Sequence, residues 1–169
     1  GSEMCIRDSL LGSRDRDLYG SLTTDELNKL ILRHASQRGV KVDIRYTNQE
    51  GECIDWIQEA SREGWDGLIM NPGGFTRSSL VIGDALAATK VPYVEVHMKN
   101  LESHSGYSML AEHALGVVMG FKAKGYLYSL DALCEWLKEV KNNESLKICL
   151  LYTNPSQRDG LLDRMPCSA

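Results

Sequence analysis

The chain has 169 residues, a formal net charge of −4, 25% charged residues and 43% hydrophobic residues, which suits one soluble globular domain with its own core. The acidic balance excludes a typical nucleic-acid-binding protein, and no apolar run reaches the roughly 20 residues that a membrane span needs. Five cysteines without a CxxC spacing favour free thiols in the cytoplasm over disulfides or a zinc site.

Two short segments near the ends are expected to be foreign to the domain. Residues 4–8 and residues 149–153 can be encoded by the two strands of one oligonucleotide, the transposase end used in preparing sequencing libraries. Such additions are excluded from reasoning about the fold, as tags and linkers are. The sequence therefore predicts a foreign linker over residues 1–9, a domain over residues 10–147, and a foreign, disordered tail over residues 148–169.

The first stretch with chemical interest covers residues 12–20. It has no apolar periodicity and is bracketed by glycines, which predicts an exposed loop. Arg14 lies five residues before Tyr19 in this loop. Tyrosine is a weak base at its reference pKa of about 10, but a nearby guanidinium favours the phenolate. The pair is a candidate device for proton abstraction, although on these residues alone an ordinary loop tyrosine is the favoured interpretation.

Helical and extended patterns then alternate along the chain. Thr23-Thr24-Asp25-Glu26 is a capping box that predicts the start of a helix. Apolar spacing predicts helices over residues 24–38, 51–63, 79–89 and 129–140, and strands over residues 40–46, 67–70, 91–96 and 115–121. Alternating strands and helices predict a parallel sheet covered on both faces, with ligands bound beyond the carboxyl ends of the strands.

Two polar stretches fall at the carboxyl ends of predicted strands. Asn71-Pro72-Gly73-Gly74 supplies backbone donors and an amide that could hold a hydroxylated ligand, although a tight turn is its favoured interpretation alone. Glu95 and His97 are two residues apart and so share one face of a strand. The carboxylate can orient the imidazole and stabilise its charged form, which suits a general acid. An ordinary polar strand end is an equal alternative for this pair alone.

Taken in order, these motifs resemble the type II 3-dehydroquinate dehydratases from Leu10 to about Leu133. The motifs that carry the resemblance are Gly12-x-Arg14, Tyr19-Gly20, Asn48-x-Glu50-Gly51-Glu52, Ile54-Asp55-Trp56-Ile57, Asn71-Pro72-Gly73, Asp84-Ala85-Leu86, Pro92, Glu95-Val96-His97, Asn100, Gly116, Gly120 and Gly125-Tyr126. The resemblance implies a flavodoxin-like three-layer α/β/α fold with strand order 2-1-3-4-5. It also implies an enzyme of the shikimate pathway that needs no metal or cofactor and assembles as a dodecamer of trimers.

The resemblance further implies how water is eliminated from 3-dehydroquinate through an enolate. Tyr19 would remove the proton beside the ketone, while Arg14 favours its phenolate and helps to close a lid over the substrate. His97 would protonate the departing hydroxyl, and Glu95 would hold His97 in place. A base on a loop and an acid at a strand end agree with the assignment made from the residues themselves.

Further residues are implied to bind the substrate, an anionic small molecule. They are Asn71, Gly73, Arg77, Asp84, Lys99 and Asn100. Asn71 would help to place the substrate, and Asp84 would reach toward the lid of a neighbouring subunit.

The chain departs from the family pattern at several positions. Family members carry a strand and an Asn-rich loop before Leu10, so the first strand is expected to be missing or replaced. Arg77 and Lys99 stand where the family has histidine and serine, and the segment after Asn100 is shorter and lacks two arginines. Because both substituted side chains can bind anions, two alternatives stay open: a related lyase acting on another anionic polyhydroxy compound, and a catalytically impaired homologue that binds a ligand.

Overall fold

The computed structural model describes residues 22–104, 106–141 and 145–153. The helices are α1 (Thr24–Gln37), α2 (Glu50–Arg62), α3 (Leu80–Thr89) and α4 (Lys124–Lys141). The strands are β1 (Lys41–Thr47), β2 (Gly67–Asn71), β3 (Tyr93–His97), β4 (Gly116–Met119) and β5 (Lys147–Thr153). Every helix and strand predicted from the sequence is present, with α4 starting earlier than expected, and β5 is an additional strand.

Local side chains fix the starts of α1 and α3. The Glu26 backbone N–H donates to the Thr23 hydroxyl at 3.3 Å, and the Thr23 backbone N–H donates to Glu26 Oε2 at 2.7 Å, so the predicted capping box is confirmed. In α3, the Ser79 hydroxyl accepts from the Ile82 backbone N–H at 3.1 Å. These caps satisfy donors that have no partner within the first turn of a helix.

The five strands form one parallel sheet in the order β1-β5-β2-β3-β4. The expected order 2-1-3-4-5 is therefore wrong for this chain. The difference lies in the second position of the sheet, which the last strand of the chain occupies instead of the first. The order of the other four strands matches the expectation.

The prediction of a disordered tail from residue 148 is wrong for residues 148–153, which belong to β5. β5 pairs with β1 along its whole length and with β2 from Ile148 to Tyr152. Ile148, Leu150 and Leu151 are fully buried, as expected of a strand inside a parallel sheet that is covered on both faces. Residues 154–169 and the predicted linker at residues 1–9 lie outside the described residues.

The start of β5 is tied to the connection between α2 and β2. The Lys147 backbone N–H donates to Asp66 Oδ2 at 2.8 Å, and the Asp66 backbone N–H donates to the Lys147 carbonyl at 2.8 Å. Lys141 Nζ donates to the other oxygen of the same carboxylate at 3.1 Å. These contacts fix the register in which β5 pairs with its neighbouring strands.

The hydrophobic core lies in two layers, one on each face of the sheet. The layer facing α1 and α4 includes Ile31, Ile69, Val96, Leu130 and Leu150. The layer facing α2 and α3 includes Ile57, Leu68, Met70, Ile82 and Leu151. The three-layer α/β/α class predicted from the sequence is confirmed, and β5 contributes to both layers. Among the described helices, none combines the length and the apolar character that crossing a membrane requires.

Candidate active site

The strands β2 and β3 end at the same edge of the sheet, and each end carries predicted site residues. Met70 pairs with Glu95 across these parallel strands. Asn71 therefore lies one residue beyond that pair, and His97 lies two residues beyond it. This carboxyl edge is where parallel α/β sheets bind their ligands.

Two polar groups, Asn71 on β2 and the Glu95–His97 pair on β3, lie on opposite faces of the sheet at this edge. Asn71 shares the α1/α4 face with Ile69, because alternate residues of a strand point the same way. Glu95 and His97 share the α2/α3 face with Tyr93, which packs in the second core layer. A ligand lying just beyond the edge can contact both groups, whereas a ligand on one face of the sheet can contact only one.

On the α2/α3 face, three side chains of β3 form a continuous hydrogen-bonded line. Glu95 Oε1 lies 2.5 Å from His97 Nε2, and the Tyr93 hydroxyl donates to Glu95 Oε2 at 2.8 Å. Glu95 is fully buried and His97 is 5% exposed. Because the carboxylate engages Nε2, the Nδ1 nitrogen is the one that can meet a ligand. The arrangement fixes the orientation of the imidazole at the carboxyl edge of the sheet.

Tyr93 is a member of this line that the sequence interpretation missed. Burial, and then the adjacent Glu95 carboxylate, raise the pKa of Tyr93 well above its ordinary value of 10.0. Its hydroxyl therefore stays protonated and serves as a permanent donor to the carboxylate. The two-residue spacing of Tyr93, Glu95 and His97 could have indicated this, because it places all three side chains on one face of the strand.

On the other face, the Asn71 carboxamide is held at both ends. Asn71 Nδ2 donates to the Tyr126 hydroxyl at 2.7 Å, and Asn71 Oδ1 accepts from the Gly73 backbone N–H at 3.2 Å. Gly73 has a φ of +51°, in the left-handed region that favours glycine. The backbone carbonyl of Asn71 also accepts from Thr153 Oγ1 at 3.0 Å. Tyr126 and Thr153 were not predicted to belong to the site.

The remaining predicted residues lie on the segments that follow β2 and β3 and on α3. Lys99, which is half-buried, and Asn100, which is exposed, lie two and three residues after the end of β3. Arg77 ends the 3-10 helix Gly73–Arg77 and is exposed, with its guanidinium beside Gly106, where an added Cβ would lie 3.0 Å from Arg77 Nη2. Asp84 is exposed on α3.

Arg14 and Tyr19, the predicted base and its partner, lie outside the described residues, so their roles stay predictions. Within residues 22–104, 106–141 and 145–153, no group of three or more His, Cys, Asp or Glu side chains is arranged to hold a metal ion.

The chain matches the protein family described as Dehydroquinase class II over residues 8–134. The 3-dehydroquinate dehydratase of Idiomarina loihiensis is 37% identical over 137 residues, covering 79% of this chain and 90% of that protein. The 3-dehydroquinate dehydratase of Halothermothrix orenii is 38% identical over 134 residues, covering 78% of this chain and 90% of that protein.

The fold is similar to solved structures as well. The crystal structure of type II dehydroquinase from Butyrivibrio crossotus has a TM-score of 0.72 and 32% identity, covering 76% of this chain and 91% of that one. That from Propionibacterium acnes has a TM-score of 0.68 and 27% identity, covering 78% and 90%. The family match over residues 8–134 includes all ten predicted site residues and ends before β5.

Proposed function

Because the chain belongs to the class II dehydroquinase family, we propose that it is a hydro-lyase that eliminates water from 3-dehydroquinate in the shikimate pathway. The resemblance inferred from the ordered sequence motifs is confirmed by the comparisons. The observation that carries the proposal is the buried Glu95–His97 pair, 2.5 Å apart, at the carboxyl edge of the sheet. This pair supplies an oriented acid where the family's reaction needs one.

The reaction proceeds by removal of a proton and loss of a hydroxyl from adjacent carbons. Tyr19, as phenolate, takes the proton from the carbon beside the ketone, and the electrons of that bond form an enolate. Arg14 favours the phenolate through its positive charge. The enolate re-forms the ketone and expels the hydroxyl, which takes a proton from His97 and leaves as water. The product is an enone, in which the new double bond is conjugated with the ketone.

The line of side chains on β3 supports the acid step. Glu95 is buried, and both oxygens of its carboxylate are occupied, one by Tyr93 and one by His97. Its charge stabilises the protonated imidazole before transfer, and its fixed position keeps the ring in one orientation. The neutral Tyr93 hydroxyl offsets part of the cost of burying the carboxylate.

The residues around Asn71 serve to hold the substrate. The carboxamide of Asn71 is already oriented by Tyr126 and Gly73, so it offers a fixed polar contact to a substrate hydroxyl. Lys99 and Arg77 supply positive charge for the substrate carboxylate, and Asn100 lies beside Lys99 after β3. A preorganised contact of this kind lowers the entropy lost when the substrate binds.

The assay that tests the function follows the absorbance of the enone formed from 3-dehydroquinate. The protein should turn over this substrate, and Tyr19→Phe should lose roughly 10²–10⁴-fold in kcat because the general base is gone. Tyr128→Phe is the matched control, since Tyr128 is 45% exposed on α4 and none of the ten predicted site residues lies on that helix. Unchanged activity in Tyr19→Phe would refute Tyr19 as the base. Conversion of another anionic polyhydroxy compound, but not of 3-dehydroquinate, would instead favour the related-lyase alternative.

We also propose that the chain self-assembles into trimer-based dodecamers through a surface that includes α3. Leu80 is 69% exposed and Val81 is 47% exposed at the start of this helix, and Asp84 lies one turn further on the same exposed side. Large exposed apolar side chains next to each other are typical of protein contacts. Sedimentation of the wild type and of Leu80→Asp tests this: the variant should dissociate, and a wild type that sediments as a monomer would contradict the proposal.

A further inference from the structure

The carboxyl end of β5 supports Asn71 in two separate ways. Thr153 Oγ1 donates to the Asn71 backbone carbonyl at 3.0 Å. Tyr152 pairs in register with Asn71, and its ring centroid lies 4.9 Å from that of Tyr126. Since the Tyr126 hydroxyl accepts from Asn71 Nδ2 at 2.7 Å, β5 contacts the backbone of Asn71 directly and its carboxamide through Tyr126.

The ring of Tyr152 itself contacts the rings of two other tyrosines. It stacks on Tyr46 of β1 with centroids 4.6 Å apart and an interplanar angle of 7°. It also meets the ring of Tyr126 of α4 at an interplanar angle of 44°. Tyr152 is 8% exposed and Tyr126 is 1% exposed. The ring of Tyr126, whose hydroxyl accepts from Asn71, is therefore connected through Tyr152 to Tyr46 of β1.

The strand that carries these groups cannot easily shift along the sheet. Its first residue, Lys147, is fixed by two hydrogen bonds to Asp66. Its interior is paired on both sides, with β1 and with β2. A slip of one residue would exchange its two buried faces, taking Leu150 and Leu151 out of their respective core layers. The location of Thr153 is therefore set by the whole strand.

We propose that Thr153 and Tyr152 are positioning residues for the Asn71 carboxamide, and that β5 completes the substrate-binding side of the site. The expected change in KM rests on the proposed function. The expected effect on the position of Asn71 rests only on the contacts described above. Neither residue lies within residues 8–134, which match the family. The substrate-binding side of the site thus depends on a strand that the family match does not include.

Thr153→Val tests the first contact, because valine keeps the shape of threonine and removes the hydroxyl donor. The KM for 3-dehydroquinate should rise about three- to tenfold, the usual effect of losing one neutral hydrogen bond, while kcat stays within about twofold. Thr153→Ser should restore the wild-type KM. Thr89→Val is the matched control, since it removes a hydroxyl that donates to the Ala85 carbonyl at 2.9 Å, in α3. A Thr153→Val variant with wild-type KM would overturn the role of Thr153.

A second readout does not require turnover. The side-chain amide resonances of Asn71, assigned by their loss in Asn71→Asp, should shift in Thr153→Val and return in Thr153→Ser. If the wild type does not convert 3-dehydroquinate, the proposed function fails, and these resonances alone decide whether β5 positions Asn71. Unshifted resonances in Thr153→Val would overturn the proposal whether or not the protein is active.

The ring contact is tested in the same way. Tyr152→Leu removes the ring that braces Tyr126, and Tyr152→Phe keeps it. The Asn71 amide resonances should shift further in Tyr152→Leu than in Tyr152→Phe. Equal shifts in the two variants would show that the ring of Tyr152 does not act on Asn71, and the proposal would then be wrong for this residue.

Discussion

The two polar groups at the carboxyl edge of the sheet are assembled in different ways. The line of Tyr93, Glu95 and His97 comes from a single strand, in which each member is two residues from the next. The Asn71 group draws its partners from sites that are distant in sequence, 55 residues away at Tyr126 and 82 residues away at Thr153. The first group is therefore set by local spacing, and the second exists only when the tertiary structure is complete.

This difference also separates the proposed roles. A group within one strand keeps its internal geometry when the rest of the sheet is perturbed, which suits the step that transfers a proton. A group that joins β2, α4 and β5 transmits any change in the sheet to the substrate contact. Variants of the β3 line should therefore change kcat, and variants around Asn71 should change KM.

The largest effect is expected for His97→Gln, which removes the proposed acid and keeps a polar side chain of similar size. The kcat for 3-dehydroquinate should fall by roughly 10²–10⁴-fold, the usual contribution of general acid catalysis. Initial rates measured by enone absorbance test this. His113→Gln is the control, because His113 lies in the 3-10 helix Ala111–His113 and pairs with Glu112 at 3.7 Å, away from the carboxyl edge. A His97→Gln kcat above about a tenth of wild type would contradict the role.

The second expectation concerns the thiol of Cys149, which tests whether β5 occupies the sheet in solution. Burial raises the pKa of Cys149 from 9.0 to about 12, so at neutral pH its thiolate should be about a thousandfold rarer than that of an ordinary thiol. Alkylation of Cys149, followed by mass spectrometry, should be slower by at least about this factor than in denaturant.

Cys53 of α2 provides the internal comparison for this experiment. Burial also raises its pKa to about 12, and it lies within the family match. The two thiols should react at similar, slow rates in the native protein. Rapid alkylation of Cys149 together with slow alkylation of Cys53 would show that β5 leaves the sheet while the rest of the fold persists.

Leu150→Ala should reduce the free energy of unfolding by about 2–5 kcal/mol, the cost of removing a fully buried leucine side chain. Leu150 has no exposed surface and packs in the α1/α4 layer. Urea unfolding followed by circular dichroism measures the change. Leu32→Ala, at a position on α1 that is 47% exposed, should cost far less. Equal losses in the two variants would contradict an interior position for β5.

The sequence predicted the parts of the fold that depend on local spacing. The capping box at Thr23 predicts the start of α1, and the alternation of Glu95 and His97 puts both on one face of β3. The alternation of helices and strands is enough to predict the α/β class. Each of these conclusions needs only residues that are close together in the chain.

The position of β5 could not be predicted in this way. Its apolar run is typical of a buried strand, but its place between β1 and β2 depends on which sheet position the other strands leave open. The same holds for the bond from Thr153 to Asn71, because residues 82 apart meet only after the sheet has formed. The prediction of a tail failed for residues 148–153 because a segment expected to be foreign to the domain can still form a strand of its sheet. The roles of Arg14 and Tyr19 rest on sequence alone and stay predictions.

Tyr93→Phe should have the smallest effect of the series, and it tests the β3 line at its far end. The variant removes one hydrogen bond to the buried Glu95 carboxylate, so the free energy of unfolding near neutral pH should fall by about 1.5–3 kcal/mol. The kcat should fall severalfold, because Glu95 is then less firmly held. Tyr128→Phe is the control, since Tyr128 is 45% exposed on α4 and should change little.

The same variant makes a prediction about alkaline pH, whose sign follows from the raised pKa of Tyr93. In the unfolded chain this hydroxyl ionises near its ordinary pKa of about 10, whereas in the folded protein it stays protonated. The folded state therefore binds more protons above about pH 10, and stability must fall as the pH rises through that value. Urea unfolding between about pH 8 and about pH 11 should show a shallower loss of stability in Tyr93→Phe than in the wild type or in Tyr128→Phe.

Parallel profiles in all three proteins would mean that Tyr93 ionises as easily in the folded protein as in the unfolded chain. Water would then reach the Tyr93 hydroxyl in the folded protein. The β3 line would not be a buried group that holds its own geometry, and it would no longer differ from the Asn71 group in this respect.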